Sequence, residues 1–263
     1  MNIVVCVKQV PDTTEVKVDP ISGTLVREGI PSIINPDDKA GVEAALRIKE
    51  QLGGTVTILC MGPPQADVAL RECLAMGADE AILLSDRAFA GADTWATSST
   101  LAAAIKKLDY DLIIAGRQAI DGDTAQVGPQ IAEHLNLPQV SYVECIKEVT
   151  ENSIVVQRQF EDRYHIVEIK LPCLITALSE LNVPRYMSVG GAFDAYREKT
   201  VKHWNLESIK DTIDMANTGL SGSPTRVKKS FTKQGKGAGT KYEVDVDEAV
   251  DIIISKLAER YVI

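Results

Sequence analysis

The sequence predicts an α/β fold: a Rossmann-like, doubly wound, mainly parallel sheet with an antiparallel extension and a C-terminal arm. Three observations carry this expectation. Short continuous apolar runs at Ile3 to Val7, Val56 to Met61, Ala81 to Leu84 and Leu112 to Ala115 read as strands buried on both faces. Segments with helical spacing lie between them, and such alternation implies parallel strands joined by right-handed crossovers. After Pro138, four strand-like runs follow one another without helices, which points to antiparallel pairing.

Taken in order, Ile3 to Val7 is the first core strand, and Lys8 to Asp12 leaves its carboxyl end, where open α/β sheets bind ligands. Val16 to Val18 and Thr24 to Arg27 flank Asp19-Pro20-Ile21-Ser22-Gly23, a small hairpin. Asn35-Pro36-Asp37-Asp38 starts a helix, with proline at its first position and acids in its first turn. Val42, Ala45, Ile48 and Leu52 form its apolar face, and Gly53 ends it. Gly62-Pro63-Pro64 opens a second helix that Gly77 closes. Asp93-Thr94 caps a third, rich in small residues and running to about Leu108. Val140 to Cys145, Ser153 to Gln159, Tyr164 to Lys170 and Cys173 to Ala177 make up the antiparallel extension. Met187 to Tyr196 is a loop turning into a short helix. Residues 1–198 are read as the nucleotide-binding domain and 199–263 as the arm. The arm holds a glycine-rich region, five lysines without an acid over 228–242, and an amphipathic helix from Asp247 to about Tyr261.

With 263 residues, 45% hydrophobic and 25% charged, the chain has material for a full core. A net charge of −9 argues against a nucleic-acid partner, and no apolar run approaches the ~20 residues of a membrane span. The five cysteines are scattered without a Cys-x-x-Cys pair, which points to buried thiols, a cytoplasmic location and no metal site. His134, His165 and His203 have no serine or cysteine in a recognisable nucleophile setting, so hydrolase chemistry is disfavoured.

The most informative stretch runs from Asp111 to Pro129. A buried strand stops at Gly116, polar and small residues follow, and Ile131, Ala132 and Leu135 resume at helical spacing. The first N–H groups of such a helix have no partners of their own and suit a nucleotide phosphate. Asp121 and Asp123 then serve as acceptors for ribose hydroxyls, or Asp123 caps the helix facing Gln126. An ordinary capped strand–loop–helix connection is the alternative. Neither Gly-x-Gly-x-x-Gly nor a P-loop occurs.

Gly116-Arg117-Gln118-Ala119-Ile120-Asp121-Gly122-Asp123-Thr124 closely resembles the nucleotide loop of electron transfer flavoprotein beta subunits. Val5 to Val10, Asn35-Pro36 with Glu43-Ala44-Ala45-Leu46, Met61-Gly62-Pro63, Ala75 to Asp79, Lys170-Leu171-Pro172 and Asn182 to Tyr186 match in the same order, over essentially the whole chain. The resemblance implies a heterodimer with an alpha subunit that carries an electron-transferring FAD. It implies that Cys6, Asn35 to Asp38, Met61 and Gly116 to Val127 (Gly116, Arg117, Gln118, Ala119, Ile120, Asp121, Gly122, Asp123, Thr124, Ala125, Gln126 and Val127) hold a nucleotide. In aerobic members this is AMP. In bifurcating members it is a second FAD that takes hydride from NADH, with outputs to ferredoxin or flavodoxin and to the alpha-subunit FAD. Met187 to Arg197 corresponds to the segment that recognises acyl-CoA dehydrogenases, which singles out Tyr186, Met187, Val189 and Tyr196. Asp121 to Pro129 and the tail motifs Gly222-Ser223-Pro224-Thr225 and Lys229-Ser230-Phe231 resemble the bifurcating branch of fermentative anaerobes. Glu161-Asp162-Arg163 and Val189 depart from the family's acidic-Gly-Gly turn and its usual leucine. The alternatives are a non-bifurcating carrier holding structural AMP, and a nucleotide-binding sensor or hydrolase of the same fold.

Overall fold

A computed structural model of the chain describes residues 1–12, 31–228 and 237–263. The expected hairpin around Asp19 to Gly23 lies outside the described residues, as do Lys229-Ser230-Phe231 and most of the lysine-rich stretch. The strands are β1 (Asn2–Val7), β2 (Gln9–Pro11), β3 (Ser32–Ile34), β4 (Thr55–Met61), β5 (Glu80–Leu84), β6 (Leu112–Gly116), β7 (Gln139–Val149), β8 (Ser153–Gln159), β9 (Tyr164–Lys170), β10 (Cys173–Ala177) and β11 (Val201–Trp204). The helices are α1 (Pro36–Leu52), α2 (Asp67–Met76), α3 (Thr94–Ile105), α4 (Val127–Leu135), α5 (Val189–Arg197) and α6 (Val246–Glu259).

Nine strands form one sheet in the order β11-β5-β4-β1-β6-β10-β7-β8-β9, and β2 pairs with β3 beside it. Successive side chains of a strand point to opposite faces, so β1 feeds both layers of the core. Ile3, Val5 and Val7 pack with Val42 and Ala45 of α1, Leu70 and Leu74 of α2 and Ala195 of α5. Val4 and Cys6 pack with Ala103, Ala104 and Ile105 of α3 and Ile131 and Ala132 of α4. At Gly41, in the middle of α1, a Cβ would stand 3.0 Å from Ile114 Cγ2, so the missing side chain lets the helix sit close on β6.

The structure departs from the sequence expectation in two places. Cys173 to Ala177 is not part of an antiparallel extension. β10 lies between β6 and β7 and pairs parallel to both, and only the β7–β8 and β8–β9 pairings of the main sheet are antiparallel. The run Cys-Leu-Ile-Thr-Ala is buried throughout, the signature of a central parallel strand. What sequence order hides is that the β8–β9 excursion returns the chain to the middle of the sheet. Second, the parallel sheet continues past residue 198, because β11 pairs with β5 as its far edge and Val201, Ile209 and Ile213 are buried. α6 has no buried residue and exposes Val246, Val250, Ile253 and Ile254.

Ile114 is fully buried beneath α1. Ile114→Ala therefore leaves a cavity that the helix cannot close, and is expected to lower stability by about 2–5 kcal/mol, read as a fall in the urea midpoint at unchanged slope.

Candidate functional site

β1 leads by way of α1 to β4 on one side of it, whereas β6 lies on its other side. The crevice outside the carboxyl ends of β1 and β6 is thus the point where the strand order reverses, the position at which open α/β sheets bind ligands. Three elements meet there: the residues after β1, the N-terminus of α1, and the loop from Gly116 to Gln126.

Asp38 joins the two strand ends. Its Oδ2 accepts from the Lys8 backbone N–H at 2.7 Å and its Oδ1 from the Gly116 N–H at 3.0 Å. A Cβ on Gly116 would collide with that same Oδ1, so the close approach requires glycine. Burial pushes the Asp38 carboxyl up to about 7, against the opposing pull of hydrogen bonds from Asn35, Lys8 and Gly116. Asn35, also buried, grips the loop twice: its Nδ2 donates to the Gln118 carbonyl at 2.8 Å and its Oδ1 accepts from the Ile120 N–H at 3.1 Å. The Lys8 ammonium reaches over to Asp121 Oδ1 at 2.7 Å. Asp37 accepts from the Ser179 N–H at 3.0 Å, and its Oδ2 lies 3.4 Å from Arg117 Nε. Both of these last atoms are buried without a hydrogen-bond partner among the described residues, and the Arg117 guanidinium lies 5.8 Å from the centre of the Tyr142 ring.

Farther along, the loop is held open by backbone that few residues adopt. Asp123 and Ala125 have φ of 49° and 53°, and Gly122 and Asp123 both donate to the Ala119 carbonyl, at 3.1 and 2.9 Å. Gln118 Nε2 donates to Asp123 Oδ1 at 2.8 Å. Asp123 therefore does not cap α4 as the spacing to Gln126 suggested. Gln126 occupies the N-cap position without a side-chain cap bond, and its Oε1 accepts from Thr94 Oγ1 at 2.8 Å. The Gln126 side chain does not cap the first N–H groups of α4, those of Val127 and Gly128, an arrangement suited to a phosphate.

The structure brings together Asn35, Asp38 and the loop residues Gly116 to Val127. Cys6 and Met61 stand at the ends of β1 and β4 in the adjoining core layer. Burial, then nearby Asp38 and Cys60, push the Cys6 thiol up to about 12, so it stays protonated and is not a nucleophile at neutral pH. Sequence reasoning counted Asp37 only within the run Asn35 to Asp38 and did not single out Lys8 and Thr94; the side chains of all three meet the loop from other elements. The adjacency of Asp37 to Asp38 and the position of Lys8 at a strand end were the available signals. The residues expected to recognise a dehydrogenase lie elsewhere: Tyr186 and Met187 are exposed beyond β10, Val189 begins α5, and Tyr196 lies near its end under the Arg71 guanidinium at 5.1 Å. Phe193, exposed between Val189 and Tyr196 at helical spacing, completes that stripe and was missed.

His134 is a packed residue. His134 Nε2 lies 3.2 Å from Ser98 Oγ, but that hydroxyl is fully buried and donates to the Trp95 carbonyl, while burial lowers the His134 pKa. His165 packs on Phe160 and His203 lies 3.5 Å from Asp67. Among the described residues, no group of His, Cys, Asp and Glu is placed to hold a metal ion, and no helix is long and apolar enough to cross a membrane.

A doubly wound sheet with a braced polar loop at its switch point is a Rossmann-like α/β architecture of the ligand-binding kind. Residues 22–208 match the electron transfer flavoprotein domain, and the chain belongs to the electron transfer flavoprotein family, among its beta subunits. It is 60% identical over 263 residues to electron transfer flavoprotein subunit beta of Clostridium acetobutylicum, 57% identical over 266 residues to caffeyl-CoA reductase-Etf complex subunit CarD of Acetobacterium woodii, and 48% identical over 270 residues to the acryloyl-CoA reductase electron transfer subunit gamma of Anaerotignum propionicum. In each case the match covers the whole of both chains.

Two outcomes are expected from this geometry. Asn35→Ala removes both grips on the loop and leaves the Ile120 N–H without its acceptor, a loss of about 1–3 kcal/mol. It should raise hydrogen exchange over residues 117–124 while leaving the sheet protected. Asp38 holds its proton more tightly in the folded than in the unfolded chain. Its contribution to stability therefore falls as pH rises from about 4 to about 7 and is level above that. Urea unfolding at pH 5 and pH 8 should show this difference shrinking in Asp38→Asn.

Proposed function

We propose that the chain is the beta half of a heterodimeric electron transfer flavoprotein of the bifurcating kind, whose bound FAD takes hydride from NADH and divides the electrons between ferredoxin or flavodoxin and the FAD of an alpha subunit, which serves an acyl-CoA dehydrogenase. The observation that carries this reading is a braced switch-point loop without a general acid–base pair, in a chain that aligns end to end with subunits of caffeyl-CoA and acryloyl-CoA reductase complexes. Redox chemistry on a flavin belongs to the cofactor, and the protein supplies position and electrostatics.

The residues present fit a nucleotide. The uncapped start of α4 at Gln126 and Val127 offers N–H groups to phosphate. A Cβ on Gly122 would meet nothing within 4 Å, so the loop is open to a ligand on that side. Asp121 and Asp123 supply acceptors for ribose hydroxyls, and Arg117 adds a cation at the start of the same loop. Asn35, Lys8 and Asp38 do not need to touch the ligand, because they fix the loop that does. The remaining assignments follow the same reading. Tyr186, Met187, Val189 and Tyr196 receive the dehydrogenase, the region after residue 198 reaches the alpha subunit through the exposed face of α6, and five free thiols suit the cytoplasm. Ser98 and His134, the one serine–histidine pair within reach of each other among the described residues, are consumed by packing, which weighs against a hydrolase.

A nucleotide census on the protein co-expressed with its alpha partner tests the proposal. Two FAD and no AMP released per heterodimer, with NADH-dependent ferredoxin reduction, is the expected result. One FAD and one AMP would replace bifurcation by a simple electron shuttle.

A further inference from the structure

We infer that Glu43, in the second turn of α1, is the positioning residue of the dehydrogenase-docking segment. The inference rests on the proposed role of Tyr186 to Tyr196 and extends it to a residue outside that segment.

The segment leaves the sheet after β10 with little to hold it. Tyr186 is 96% and Val189 91% exposed, and Met187, Phe193 and Tyr196 are also exposed. No apolar packing fixes the path of the chain at Tyr186, and an unpacked stretch keeps its backbone entropy unless polar bonds remove it. Those bonds converge on one carboxylate. Glu43, only 3% exposed, accepts from the Arg185 backbone N–H at 3.1 Å, from Arg185 Nε at 2.8 Å and Nη2 at 3.2 Å, and from Arg47 Nε at 2.7 Å. Four donors fill the four acceptor sites of a carboxylate. The residue immediately before the exposed apex is thus clamped by both its main chain and its side chain. Three further contacts surround this clamp: Arg185 also pairs with Glu50, Asn182 Nδ2 donates to the Ala40 carbonyl at 3.0 Å, and Arg47 Nη2 reaches the Val183 carbonyl at 3.5 Å. All the α1 groups involved, Ala40, Glu43, Arg47 and Glu50, belong to one helix. The far end of the segment is fixed separately, by α5 packing on α2 with Ala195 buried and Gly191 against the Ala75 carbonyl.

The same helix begins with Asn35 to Asp38, which hold the nucleotide loop. Eight residues of helix separate Asn35 from Glu43, about 12 Å along the axis. A rigid rod therefore carries the loop at one end and the docking segment partway along. Glu43 sets the docking surface in register with the nucleotide loop without touching either a ligand or the dehydrogenase.

The test uses the assembled heterodimer, titrated with an acyl-CoA dehydrogenase while the initial rate of electron delivery is followed. Glu43→Gln keeps the size of the side chain but offers one acceptor oxygen in place of two and turns an NH2 toward the arginines. It should raise the half-saturating dehydrogenase concentration about tenfold, with the rate at saturation within twofold of the parent and nucleotide content unchanged. Tyr186→Ala should raise the same concentration. The double variant should resemble Tyr186→Ala alone, because both changes act on one contact. If Glu43→Gln prevents assembly, Arg185→Lys serves instead: it keeps the charge and loses the fork, and should raise half-saturation about fivefold. Unchanged half-saturation in both clamp variants, with Tyr186→Ala impaired, overturns the role of Glu43. Additive single and double effects, or a fall in saturated rate and nucleotide content without a shift in half-saturation, also overturn it. No effect of Tyr186→Ala removes the docking reading itself and this inference with it.

Discussion

Two peptide N–H groups at the end of the sheet constrain the rest of the site. Where the strand order reverses, the backbones after β1 and β6 part, and the N–H groups of Lys8 and Gly116 need an acceptor there. Asp38 supplies both bonds from the start of α1. Two orphaned buried N–H groups would cost roughly 2–6 kcal/mol together. Raising a carboxylate from 3.8 to about 7 costs roughly 4 kcal/mol when it ionises. The two terms are of similar size, so the arrangement is affordable without being a source of net stability. Its consequence is geometric. The start of α1, the end of β1 and the end of β6 are locked together, and Gly116 is required because the carboxylate stands where a Cβ would go.

From that lock the loop after β6 acquires its shape. Asn35 adjoins the lock in sequence and takes the Gln118 carbonyl and the Ile120 N–H, while Lys8 takes Asp121. Loops that carry function are normally mobile, and holding non-glycine residues at positive φ, as at Asp123 and Ala125, needs surroundings that over-determine the backbone. Here the bracing comes from three different elements. Asn35 and Asp38 brace the loop from buried positions, and Lys8 from the surface.

His134 and the buried cysteines Cys6, Cys60, Cys73 and Cys173, residue types that carry catalysis in many α/β proteins, are used for packing. Buried thiols stay protonated, and the Ser98–His134 contact is closed off by the Trp95 carbonyl and ring. This accords with the proposed flavin chemistry, in which a bound redox group performs the reaction and the protein needs no nucleophile or base of its own.

Much of the fold was legible in the sequence. The four core strands are continuous apolar runs, and the start of α1 at Asn35-Pro36 and the Asp93 cap of α3 could be read, because these signals act within a few residues, although the Asn35 side chain grips the loop instead of capping its helix. The glycine and the polar run after β6 marked the site for the same reason. The sequence by itself also determined family membership, since motifs spread over the chain matched in order. Only tertiary structure decided that β10 runs parallel in the middle of the sheet and that β11 closes its far edge, because pairing partners more than twenty residues apart leave no local trace. Only tertiary structure set Asp38 against two strand ends, Lys8 against Asp121 and Glu43 against Arg185. In sequence Asp38 and Glu43 are charges at a helix start and on a helix face and Asp121 is one polar residue of a loop; burial and partnership, which make them braces, are properties of the packed molecule.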